Sequence, residues 1–150
     1  MKKIIFYLLL FLFLITYGYI FLGKEALPSW LMPYKLLLYC GLTGGIGGVL
    51  YCLRAVYLNR CVKNQWSEHW EVWYYIRPIV SVMAGFISYI FLKAGLIVLE
   101  ATEVSNPSNY GFLALSFVAG LNVDNFIKKL EAIAEAAFGI KKSNVSKDEK

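Results

Sequence analysis

The stretch IIFYLLLFLFLITYGYIFL, Ile4 to Leu22, carries no charge and follows Lys2 and Lys3 directly. As a helix it covers roughly 28 Å, close to the thickness of a hydrocarbon core. A cleaved signal peptide would need a shorter apolar region and a small-residue cleavage site, and neither is evident. The run therefore reads as a retained signal anchor with its N-terminus inside the cell. Composition agrees: 59% of the 150 residues are hydrophobic and 17% are charged, with a mean hydropathy of +0.56. A soluble domain of this size could not hide that much apolar surface.

Working outward, a second run spans about 36–53 and a third about 78–99, beginning at Arg77-Pro78, where proline suits a first helical turn. A fourth, 110–121, is short. Twelve of the fifteen Lys and Arg residues sit at the N-terminus, in the middle stretch (Arg54, Arg60, Lys63, Arg77) or at the C-terminal end. Basic residues stay on the cytoplasmic side, so this sorting favours four spans over three and puts both termini in the cytoplasm. The expected fold class is all-α: a polytopic membrane protein with four transmembrane helices (1–121), a Trp-rich interfacial segment, an amphipathic cytoplasmic helix (122–140) continuing the last span, and a disordered basic tail (141–150).

Small residues mark the helix contacts. Gly41/Gly45, Gly44/Gly48 and Ser81/Gly85 each have the spacing that lets helix backbones approach closely in lipid, within a chain or between copies. A nucleotide-binding glycine loop would need a preceding strand, which the pattern lacks. Lys93 is the charge expected inside a span, snorkelling outward toward Glu100. Asp124 falls at the inner interface or inside the bundle. Trp66, Trp70 and Trp73 recur at helical spacing beside His69, and Lys128, Lys129, Glu131 and Glu135 line the polar face of the last helix. With Arg77, these residues form the expected cytoplasmic surface for a partner protein. One histidine and three scattered cysteines give no metal-binding spacing. No catalytic constellation is present, so neither an enzyme nor a cofactor is expected. The net charge of +5 follows topology, and direct nucleic-acid binding is not expected.

Four stretches carry a resemblance: Tyr51-Cys52-Leu53-Arg54-Ala55-Val56-Tyr57, Trp73-Tyr74-Tyr75-Ile76-Arg77-Pro78, Phe91-Leu92-Lys93-Ala94-Gly95, and Phe117 to Phe126 (FVAGLNVDNF). In texture and motif order the chain resembles the KwaA family, the membrane subunit of the Kiwa anti-phage defence system. That resemblance implies a homo-oligomer (taken as a tetramer) that detects infection at the envelope and engages a cytoplasmic DNA-binding effector, KwaB. The alternative is a pore-forming effector or small channel, suggested by Lys93, Asp124 and the glycine-rich second span.

Overall fold

The computed structural model describes residues 2–24, 28–63, 70–95 and 109–140. Five α-helices follow in order: α1 (Lys2–Gly23), α2 (Lys35–Tyr57), α3 (Glu71–Lys93), α4 (Tyr110–Leu121) and α5 (Val123–Phe138). A short 3-10 turn, Met32–Tyr34, leads into α2, and a π-helical turn, Leu58–Val62, extends it. The fold is all-α, as the hydropathy pattern requires. Three helical stretches are long and apolar enough to cross a membrane, and a fourth is gained if the bent pair α4–α5 counts as one span. This is consistent with a polytopic membrane protein.

The glycines of α2 make it the central helix. Three neighbours pack against it, and its small-residue positions serve all three. A Cβ on Gly44 would stand 2.5 Å from the Ser81 carbonyl oxygen of α3. One on Gly47 would stand 2.5 Å from the Phe117 carbonyl oxygen of α4 and 2.7 Å from the Leu121 nitrogen. Gly45 faces the Ile15 side chain of α1 and Val82 of α3. Backbone therefore touches backbone at α2–α3 and α2–α4, contacts that side chains larger than hydrogen would forbid. Gly41, Gly44, Gly45, Gly48, Ser81 and Gly85 are all buried in these contacts within one chain, so any contact between copies must use another face.

Serine hydroxyls complete the α3–α4 contact. Ser88 Oγ and Ser116 Oγ are 2.8 Å apart, and Ser81 Oγ lies 2.9 Å from the carbonyl oxygens of both Arg77 and Gly120. Buried in apolar surroundings, a hydroxyl without such a partner would be unfavourable. α1 is held at both ends. Ile4 and Leu8 are buried against Val49, Cys52, Val56 and Tyr74, and Tyr7 Oη donates to the Tyr75 carbonyl oxygen at 3.0 Å. Near its other end Tyr19 hydrogen-bonds Thr43. The outward face of α1, including Phe6, Phe13, Tyr17 and Ile20, is exposed and apolar, as a lipid-facing surface should be.

Three boundaries differ from the sequence reading. The third helix runs Glu71–Lys93, so Pro78 lies inside it instead of in its first turn. Proline removes one main-chain donor, a loss that neighbouring helices make tolerable in membrane bundles. The helix then ends at Lys93, with Gly95 at positive φ just beyond. The fifth helix does not continue the fourth: the two meet at Asn122 with a bend of 111°. Asn122 leaves helical geometry (φ −129°, ψ 59°) while its carbonyl accepts the first α5 hydrogen bond from Phe126 N–H at 3.0 Å. Asparagine suits that junction. Gly139, in the left-handed conformation (φ 68°), closes α5.

Candidate functional site

The early start of α3 changes the meaning of Arg77. Six residues into the helix, it lies about 9 Å from the N-terminal end of α3. Its guanidinium lies over the rings of Tyr51 (4.8 Å) and Trp73 (5.0 Å), which puts it level with Tyr51 of α2. Counting along the helices, Tyr51 is sixteen residues from Lys35, and Arg77 sixteen from Lys93. Each interval is about 24 Å of helix. Arg77 thus stands one turn inside the level of Arg54, while Lys35 and Lys93 mark the opposite end of the bundle. Among the described residues, Arg77 is the charged side chain buried within a long apolar helix.

Only 4% of Arg77 is exposed. Nη1 donates to Asp124 Oδ2 at 2.7 Å, a short, charge-assisted bond. Nε and Nη2 are buried and have no hydrogen-bond partner; the aromatic faces of Tyr51 and Trp73 offer the cation its remaining stabilisation. Asp124 sits in the first turn of α5, where a carboxylate is favoured by the helix dipole, and 58% of its side chain is exposed. The Asn122 bend is what brings it to Arg77. Val123 and Phe126 fix the same junction by packing with Ala84 and Ala119, beside Val80 and Ile87.

Depth also bears on α4. Phe112 near its start stacks beside Tyr89 of α3, with centroids 5.4 Å apart, and Asp124 just past its end meets Arg77. Between those two levels α3 uses twelve residues, the length of α4 itself, or about 18 Å. The short helix therefore covers the same depth as the Arg77–Tyr89 part of α3.

Around the ion pair the N-terminal end of the bundle forms two clefts that share Tyr51 as a wall. The first, of about 540 Å³, is lined by Tyr51, Ala55, Asn59, Trp70, Trp73, Tyr74 and Asp124. Trp73 stands edge-on to Tyr74 at 5.3 Å and tilted to Tyr51 at 5.6 Å, and Asn59 Nδ2 donates to Tyr74 Oη at 3.1 Å. The second, of about 490 Å³, is lined by Leu50, Tyr51, Arg54, Leu121 and Asn122.

The expected partner residues divide accordingly. Trp70 is 59% exposed at the cleft rim. Trp73 is half-buried, and Arg77 is sealed inside, so Arg77 is not a surface for a partner; its early position in the sequence-expected third span concealed this. Lys128, Lys129 and Glu135 are exposed on α5, and Glu131 is half-buried. Lys93, expected inside the third span, is the last residue of α3 and exposed; its Nζ donates to Tyr89 Oη at 3.3 Å. Trp66, His69, Glu100 and the 141–150 tail lie outside the described residues. No group of three His, Cys, Asp or Glu side chains able to hold a metal occurs among the described residues. Cys40 and Cys52 are buried free thiols and Cys61 is an exposed one.

These features define an all-α chain of the polytopic membrane class, with an ion pair joining a transmembrane-type helix to a bent amphipathic one. No protein-family model, curated protein or solved structure matches the chain.

Proposed function

We propose that the chain is a bacterial inner-membrane scaffold and sensor subunit, with both termini in the cytoplasm, which self-associates and holds a soluble effector at the face carrying α5. The observation that supports this is the placement of α5. The 111° bend, together with the Arg77–Asp124 bond, turns this amphipathic helix across the end of the bundle. Lys128, Lys129 and Glu135 of α5 are exposed, as is Trp70 at the rim of the cleft that Asp124 lines. An exposed tryptophan and an exposed charged helix face each suit a protein partner. The anti-phage role, and a DNA-binding effector of the KwaB kind as the partner, rest on the KwaA resemblance of the motifs around Arg54, Arg77, Lys93 and Asp124. The pore reading has less support, because the α2 glycines, Lys93 and Asp124 each have contacts within the chain.

The test is co-purification from native cells in mild detergent. A cytoplasmic protein is expected with the intact chain, and is expected to be lost from a chain ending at Leu121. The charge-reversed pair Lys128→Glu and Lys129→Glu keeps Asp124 in place and should also lose it. Retention of the partner by both variants would sink the assignment of α5.

A further inference from the structure

We propose that the 540 Å³ cleft beside Asp124 binds the ammonium of a phosphatidylethanolamine headgroup. The reading goes beyond the scaffold proposal and does not depend on it.

The sign of the ligand follows from what the cleft presents. Arg77 is adjacent, but its Nε and Nη2 are buried beneath Tyr51 and Trp73 and do not reach the cleft. Among the described residues, the lining contains one acidic side chain, Asp124, and no Lys or Arg. Oδ2 accepts from Arg77, and Oδ1 has no hydrogen bond among the described residues. The ion pair therefore holds a carboxylate that is 58% exposed and borders the cleft. An incoming phosphate would meet that anion first; an incoming ammonium would find a hydrogen-bond acceptor.

The walls suit the same cation. Trp70, Trp73, Tyr74 and Tyr51 surround the cleft, and aromatic faces attract ammonium groups, tryptophan most strongly. Asn59, one turn beyond Ala55, adds a polar side chain to the same lining. The Arg77 charge weakens the attraction of Asp124 without cancelling it, because the guanidinium stands behind two rings while the carboxylate borders the cleft.

Depth and neighbourhood point to a lipid as the source of the amine. The cleft begins at the Tyr51–Arg77 level and extends past Trp73 to Trp70, the headgroup zone of a bundle whose other end is marked by Lys35 and Lys93. Tryptophan and tyrosine gather at that depth. Across Tyr51, Arg54 lines the second cleft together with Leu50 and Leu121. A cation with apolar neighbours there provides for the phosphate and upper chains of the same lipid. The volume, about 540 Å³, lies within the range of small-molecule sites.

Native mass spectrometry of the intact purified chain tests this, with phosphatidylethanolamine and phosphatidylglycerol of matched acyl chains as probes. Wild type should retain the ethanolamine lipid over the glycerol lipid by roughly fivefold, the scale of one ammonium–aromatic contact. Trp70→Leu, at the exposed rim, should bring the two lipids to parity while leaving the melting temperature of the protein unchanged. Asp124→Asn should also bring the two lipids to parity, with a lowered melting temperature because the Arg77 ion pair is lost. Equal or better retention of phosphatidylglycerol by wild type would overturn the proposal, as would an ethanolamine preference that survives both substitutions. Displacement of the lipid by equimolar soluble phosphoethanolamine would overturn the lipid as the ligand. None of these readouts involves the effector, so this proposal and the scaffold reading fail separately.

Discussion

Replacing Asp124 with alanine should destabilise the protein more than removing the arginine it serves. Asp124→Ala leaves a guanidinium that is 4% exposed without its anion. Removing one partner of a fully buried pair costs about 3–5 kcal/mol. Here Asp124 is 58% exposed, so water enters where the carboxylate stood. The Tyr51 and Trp73 faces remain, each cation–ring contact contributing about 0.5–2 kcal/mol. Together these reduce the expected loss to about 2 kcal/mol. Arg77→Met leaves instead a largely hydrated carboxylate and fills the space with an apolar chain, for a loss of about 1 kcal/mol. The double variant should resemble Arg77→Met, since no buried charge is left behind. The cycle then gives a coupling of about 2 kcal/mol, within the range of directly contacting residues. Reversible unfolding of the purified protein in mixed detergent micelles measures all four species. The reasoning is refuted if Asp124→Ala is the milder single change, or if the two effects add.

Other consequences concern packing and accessibility. Gly120→Ala places a methyl against the Gly44 backbone and should cost about 2 kcal/mol by overpacking. Gly18→Ala meets only the flexible Leu42 side chain, at 3.3 Å, and should be neutral or slightly stabilising because alanine is the better helix former; equal losses at both positions would contradict the α2–α4 contact. Ser116→Ala removes the Ser88 partner and should lower stability by about 0.6 kcal/mol, as interhelical hydrogen bonds in membranes typically do. A thiol reagent applied to the folded protein in detergent should modify Cys61 quickly and leave Cys40 and Cys52 unmodified until unfolding, as thiol counting by mass would report.

The hydropathy of the chain is read easily where one rule acts alone. Residues 4–22 and 36–53 fall within α1 and α2, and 110–121 coincides with α4, because uninterrupted apolar runs leave little choice. The third helix is harder, since two rules compete at Pro78. Its suitability for a first turn suggests a start at Arg77, yet Val72, Trp73, Tyr74, Tyr75 and Ile76 are apolar enough to extend the helix backward. That shift of about two turns converts Arg77 from a boundary residue into a buried one. Its pairing with Asp124, forty-seven residues away, depends on a bend that hydrophobic periodicity cannot express. Asn122 was the available signal: a polar cap residue between a very apolar segment and an amphipathic one. The glycine spacings foretell close helix approach, but not that α2 has three neighbours of the same chain.

In the four-crossing topology α4 is a crossing and α5 lies at the same end of the bundle as Lys2. Its most direct test is side-specific labelling of single cysteines, Lys2→Cys and Ile140→Cys, in a chain with Cys40, Cys52 and Cys61 replaced. Membrane-impermeant maleimide would be applied to right-side-out and inside-out vesicles. Both positions should react from one and the same face. Reaction of the two from opposite faces would contradict that topology, leaving three crossings and removing α5 from the Arg77 end.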